Sequence, residues 1–124
     1  DDMVSRGLGD VYKRQAKWGL IGLTKTWAME LGPHKVRVNA LCPASVDGER
    51  IEAVMARDGE ERGVSVGDIR QSYERQSSLQ SFTRIEDIAS MVCYLASDAG
   101  VRISGQAIGL DGHTETLGNS LGEI

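Results

Sequence analysis

The sequence predicts an α/β fold with parallel strands. Two short apolar segments, "KVRVNALCP" and "GQAIGLDG", have the branched, turn-bounded composition of strands. Between them lie a long charged stretch and one amphipathic helix. Strand, excursion, helix, strand is the order of a right-handed crossover, a connection that parallel strands require and antiparallel ones do not.

Taken in order, Leu20, Leu23, Trp27 and Leu31 recur at steps of three and four and mark one face of a helix over 16–31. Gly32-Pro33 stops it. The strand expected over 36–42 is apolar on both alternating faces, as in a sheet covered on both sides, and Pro43 ends it. Residues 46–81 are charged and punctuated by glycine, with short helices expected around 51–55 and 69–73, so the stretch reads as a surface excursion. Thr83-Arg84-Ile85-Glu86 has the pattern of a capping box, and Ile85, Ile88, Val92 and Leu95 continue it as a helix over 84–97. Residues 106–110 supply the second strand. Two strands leave unpaired edges and an uncovered face, which is the expectation for the end of a larger domain.

Composition narrows the function. With 124 residues and 40% apolar content the chain is ordinary globular material, and its length fits one domain. The formal charge of −4 is mixed in sign and has no long basic run, which argues against nucleic acid as a partner. No apolar run approaches the roughly 18 residues of a spanning helix, and the N-terminus lacks the apolar core of a signal peptide. The expectation is a soluble, cytoplasmic protein with no membrane partner. Cys42 and Cys93 read as buried reduced thiols, and His34 and His113 have no metal-ligand spacing, so no metal site is expected.

Four blocks, "AKWGLIGLTKTWAMELG", "VRVNALCPASV", "DIASMVCYLASDAG" and "ISGQAIGLDGHTE", follow one another from Ala16 to about residue 115. In that order they resemble the C-terminal half of the short-chain dehydrogenase/reductase family. The resemblance implies a doubly wound, Rossmann-type parallel sheet, present here only in part, and NAD or NADP as cofactor. It also implies hydride transfer between the nicotinamide and a small alcohol or carbonyl substrate, with assembly into a homo-oligomer through the 16–31 helix. Gly19 and Gly22 in that helix would allow close packing. In the family a tyrosine is the general acid/base, and a lysine one helical turn later binds the nicotinamide ribose and lowers the tyrosine's pKa. Lys17, directly before Trp18-Gly19, matches that lysine by context and is the candidate catalytic and cofactor-binding residue.

The tyrosine is out of register. Tyr12 precedes Lys17 by five residues, about 140° around a helix, and the position four before, about 40° away, is Lys13. Residues 1–15, "DDMVSRGLGDVYKRQ", lack the family's pattern and resemble translated sequencing-adaptor read-through. The expected organisation is therefore a non-native leader over 1–15, the dehydrogenase portion over 16–117 and a tail over 118–124. "RGLGDV" follows no strand and does not read as a phosphate loop.

After its strand the family carries Pro-Gly and then a threonine, in a loop that contacts the nicotinamide. Here the corresponding candidates are Pro43, Ala44, Ser45 and Val46, with Ala44 for the glycine and Gly48 where the hydroxyl would be. Arg50, Met55, Tyr73 and Phe82 are candidates to line the lid that the family closes over substrate. Asp111-Gly112-His113 ends the second strand as the family's Asp-Gly-Gly does, with His113 read as a surface variant. The functional expectation is a piece of an NAD(P)-dependent oxidoreductase, inactive as given. The alternative is a non-catalytic oligomerisation module on the same elements.

Overall fold

Gly32 and Pro33 end a single long helix. In the computed structural model, which describes residues 2–114 and only the backbone of residues 2–11, 13 and 14, α1 runs unbroken over Asp2–Leu31. It begins well before the expected start at residue 16. An apolar stripe is not required to extend a helix already nucleated, because each added residue gains a hydrogen bond, and 2–15 contains no proline. Whether Val4, Leu8 and Val11 of the expected leader pack lies outside the described side chains, and the expected tail lies outside the described residues. The end of α1 is as expected: a 3₁₀ turn over Gly32–His34 closes on Lys35, which adopts a left-handed φ of 62° and donates its N–H to Gly32 O at 2.8 Å.

The chain divides into two compact units, one of residues up to Ala40 with Val101–Ile108, the other of Leu41–Gly100 with the residues from Gly109 onward. In the first, α1 turns inward not the Leu20/Leu23/Trp27/Leu31 stripe but Ile21, Thr24 and Ala28. Thr24 is buried with its hydroxyl donated back to Leu20 O at 2.8 Å, Lys25 Nζ reaches Gly105 O at 2.8 Å, and Ala28 lies against Gly105. Small residues at the contact bring the helix close to the 101–106 segment, while the large apolar side chains face outward.

β1 (Ala40–Pro43) and β2 (Ala107–Leu110) are hydrogen-bonded neighbours in a short parallel sheet, the α/β arrangement the crossover predicts. Both strands start later than expected, and Asn39 is the reason. Its amide donates to Ile103 O at 2.9 Å and accepts Gln106 N–H at 3.1 Å, and Val38 N–H goes to Ser104 Oγ at 3.2 Å. Side chains thus occupy the partners that a regular ladder over 36–39 would need.

The excursion is more ordered than its charge suggests. It forms two helices, α2 (Glu49–Arg62) and α3 (Val66–Glu74), each longer than the short turns expected at 51–55 and 69–73. Met55 of α2 and Ile69 of α3 are both 1% exposed, and Gly59 of α2 lies so close to α3 that an added Cβ would sit 3.0 Å from Val64 O and 3.9 Å from Ile69 Cβ. Ser65 caps α3 by accepting Asp68 N–H at 3.2 Å.

The final helix, α4 (Ile85–Ala96), is capped one residue later than the sequence pattern indicates. Arg84 is the N-cap, and Asp87 accepts its N–H at 2.8 Å and its guanidinium at 3.2 Å. A guanidinium has no acceptor, so only the acidic half of a capping box operates. Thr83, the expected cap, spends its hydroxyl on Leu110 O at 2.5 Å instead.

Candidate functional site

The site is built where the chain enters and leaves the excursion. Thr83, just beyond it, forms an isolated parallel bridge with Val46: its N–H donates to Ser45 O at 3.0 Å and its C=O accepts Asp47 N–H at 2.8 Å. With its hydroxyl on Leu110 O, this one buried residue ties the loop after β1 to the end of β2. The bridge has a directional consequence. Because it uses Ser45 C=O and Asp47 N–H, the N–H and C=O of Val46 face the opposite side of the strand.

Gly48 follows at φ 155° and ψ −172°, a region that only glycine occupies comfortably. The resemblance implies a hydroxyl at this position, but the backbone of Gly48 takes a course a threonine would resist. Arg70 of α3 then reaches back across the entry. Its guanidinium donates to both Asp47 oxygens at 3.3 Å and to Glu74 Oε1 at 2.9 Å, and it stacks 4.8 Å from the Phe82 ring centre. Partial burial alone would lower the Arg70 pKa, but the hydrogen bonds to Asp47 and Glu74 outweigh it and hold the value above the ordinary one.

Two adjoining hollows open beside this frame. The larger, of about 450 Å³, is walled by Ser78, Phe82, Thr83, Leu110, Asp111 and His113 among others, and has the size of a small-molecule cleft. The smaller, of about 40 Å³, borders Ala44, Ser45 and Tyr73. Ser81, Phe82 and Asp111 form their common wall. Of the expected lid residues, Tyr73 and Phe82 therefore line the hollows. Met55, 1% exposed, and Arg50, exposed, line neither hollow.

His113 does more than decorate the surface. It is exposed, holds a left-handed φ of 68°, and places its Nδ1 2.5 Å from Ser78 Oγ, while Asp111 accepts its backbone N–H at 2.9 Å. Ser78 and Leu79 donate their N–H groups to His113 O and Gly112 O at 3.0 and 3.1 Å. Gly112, at φ 66°, approaches Ser77 and Leu79 so closely that an added Cβ would lie 3.3 Å from Ser77 Oγ. The Asp-Gly-His turn fastens the end of the excursion to β2, which its sequence pattern alone did not indicate.

Lys17 lies exposed on α1 in the first unit, whereas Pro43, Ala44, Ser45 and Val46 belong to the second. Because α1 is continuous through both positions, the five-residue step from Tyr12 to Lys17 keeps its angular offset of about 140°. The other tyrosine near the loop, Tyr73, donates its hydroxyl to Asp58 at 3.0 Å, and burial together with that bond raises its pKa. A phenol so held is less acidic than a free one. Among the described residues, no group of three or more His, Cys, Asp or Glu side chains could hold a metal ion, and no helix is long and apolar enough to cross a membrane.

A parallel strand pair joined by a helical crossover is one piece of the doubly wound α/β arrangement. The family model described as enoyl-(acyl carrier protein) reductase matches residues 6–113, and the chain belongs to the short-chain dehydrogenase/reductase family. It is 33% identical over 97 residues to the 3-oxoacyl-[acyl-carrier-protein] reductase of Thermotoga maritima, covering 78% of this chain and 35% of that protein. Over 106 residues it is 36% identical to trans-4-hydroxycyclohexanecarboxylate dehydrogenase of Sinomonas cyclohexanicum, covering 86% and 34%. Among solved structures, a short-chain dehydrogenase family protein from Francisella tularensis superposes with a TM-score of 0.75 at 26% identity, over 79% of this chain and 40% of that one. 4-Hydroxyisoleucine dehydrogenase complexed with NADH superposes with a TM-score of 0.57 at 30% identity, over 79% and 35%. The chain thus spans little more than a third of the length of these curated relatives.

Proposed function

We propose that these 124 residues are part of an NAD(P)-dependent oxidoreductase acting on a small alcohol or carbonyl substrate, and that they do not catalyse the reaction alone. The family match over 6–113, with Lys17 in its expected context, carries the reading. When bound, the nicotinamide would donate or accept the hydride. Lys17 would hold its ribose. Val46, with its N–H and C=O turned away from Thr83, would meet the carboxamide, and Pro43, Ala44 and Ser45 would shape the loop around it. The donor chemistry fits: a cation for ribose hydroxyls and a paired backbone donor and acceptor for an amide.

The proton is what these residues do not supply. The phenol belongs one helical turn before Lys17, where Lys13 stands, and neither Tyr12 nor Tyr73 is placed or activated to replace it. In the cytoplasm the chain would form a homo-oligomer through residues 16–31, whose Trp18 is 73% exposed. That exposure, with open space beside Gly19 and Gly22, also favours the second reading, a non-catalytic oligomerisation module.

A chimera separates the two. It joins the upstream portion of the Thermotoga maritima relative to this chain from Ala16 onward, with turnover followed by nicotinamide absorbance. The expected result is cofactor-dependent reduction of a small ketone that falls about 10²-fold or more with Lys17→Met. A folded chimera that binds cofactor and shows no turnover overturns the reading. The chain as given, and its Lys13→Tyr variant, should show neither activity nor micromolar cofactor binding.

A further inference from the structure

The hollow of about 450 Å³ lies wholly within the second compact unit, and its polar wall is one-sided. Many of its donors are already taken: the N–H groups of Ser78 and Leu79 go to His113 O and Gly112 O, those of Thr83 and His113 to Ser45 O and Asp111 Oδ1, and the Thr83 hydroxyl to Leu110 O. Acceptors remain. The two carboxylates on the wall, Asp87 and Asp111, differ in their partners. Asp87 takes the Arg84 N–H at 2.8 Å and its guanidinium at 3.2 Å, so its charge is answered. The Asp111 carboxylate receives the His113 N–H at 2.9 Å and, among the described residues, no cation. Ser78 Oγ, 2.5 Å from His113 Nδ1, keeps a lone pair whichever of the two holds the shared proton. Leu79, Phe82 and Leu110 add apolar surface to the same wall.

We propose that this hollow binds a small organic ammonium ion, with its N–H donors shared between the Asp111 carboxylate and Ser78 Oγ and its apolar body against Phe82. An anion would meet the Asp111 charge on a wall whose donors are largely occupied. A neutral alcohol would leave that charge unanswered, whereas an ammonium brings both a positive charge and three donors to the acceptors present. His113 is here a positioning residue, because its contact with Ser78 fixes the serine oxygen on the wall. The site rests on the lining of the hollow and not on the proposed reaction, so it requires no nicotinamide.

Titration of the full 124-residue chain with 2-phenylethylamine, 2-phenylethanol and phenylacetate, followed through backbone amide NMR shifts with no cofactor present, tests this independently of any activity. The three probes share an aromatic body and differ in charge. The amine should bind with a Kd of about 1 mM, in keeping with a ligand of this size, and shift the amides of Ser78, Phe82, Asp111 and Gly112. The alcohol should bind about tenfold more weakly, and phenylacetate more weakly still. Asp111→Asn, which keeps an oxygen for the His113 N–H, should lower the affinity for the amine about tenfold and leave that for the alcohol unchanged. Equal affinity of the parent chain for the amine and phenylacetate would overturn the proposal without recourse to any variant. So would amine binding undiminished in Asp111→Asn, or shifts centred on Trp18 and Trp27 of α1 in place of the hollow.

Discussion

In α1 the residues Leu20, Leu23, Trp27 and Leu31 recur at helical spacing and are all exposed, whereas in the charged α2–α3 hairpin Met55 and Ile69 are almost completely buried. The contrast separates pattern from partner. An apolar stripe states which face a helix can bury, but burial needs a surface to receive it, and α1 meets its unit through Thr24 and Ala28. The hairpin carries less apolar surface yet supplies both sides of its own contact. The most deeply buried apolar side chains thus lie where the sequence is polar, while the apolar stripe of α1 stays exposed.

Truncating one buried and one exposed apolar side chain tests that division most strongly. Met55→Ala should cost about 2–5 kcal/mol in a denaturant titration, the usual range for emptying a sealed site. Trp18→Gln should change stability by no more than about 0.5 kcal/mol, as is typical of surface sites. Equal losses would mean that α1 is packed within the chain after all. A smaller effect belongs to Thr83→Val, which removes a buried hydroxyl donor and leaves Leu110 O without it. A loss of about 1–3 kcal/mol is expected, with Thr83→Ser retaining most of the stability.

The smallest effect concerns pH. The Arg84 N–H, followed by its guanidinium, lowers the Asp87 pKa below the ordinary 3.8. A carboxylate depressed in the folded state adds stability that is complete above its unfolded pKa and lost as pH falls through the folded value. Helicity followed by circular dichroism should accordingly decline below about pH 4. Asp87→Asn should remove part of that pH dependence while leaving the neutral-pH signal nearly unchanged.

How much of this was legible depended on how local the cause is. The end of α1 follows from Gly32-Pro33, and the α/β class from two branched segments on either side of a crossover, because turn chemistry and periodicity act within a few residues. The late start of both strands was not legible, since it arises from Asn39 bonding Ile103 and Gln106, more than sixty residues away. The capping register slipped for a similar reason: Leu110, distant in sequence, claims the Thr83 hydroxyl. In the site, the loop after Pro43 was visible as a motif, but which of its backbone groups faces outward depends on the bridge between Val46 and Thr83. His113 read as a surface substitution because nothing nearby in sequence announces Ser78 as its partner.

Acrylamide quenching of Trp18 and Trp27, measured across a range of chain concentrations, tests most directly the claim that α1 is left for a partner. Trp18 is 73% and Trp27 46% exposed, so at the lowest concentration both should be open to the quencher, Trp18 more than Trp27. Shielding should grow as the concentration rises and copies associate through their apolar faces. Shielding that is already complete at high dilution and independent of concentration would place the tryptophans inside a single folded chain and contradict the account.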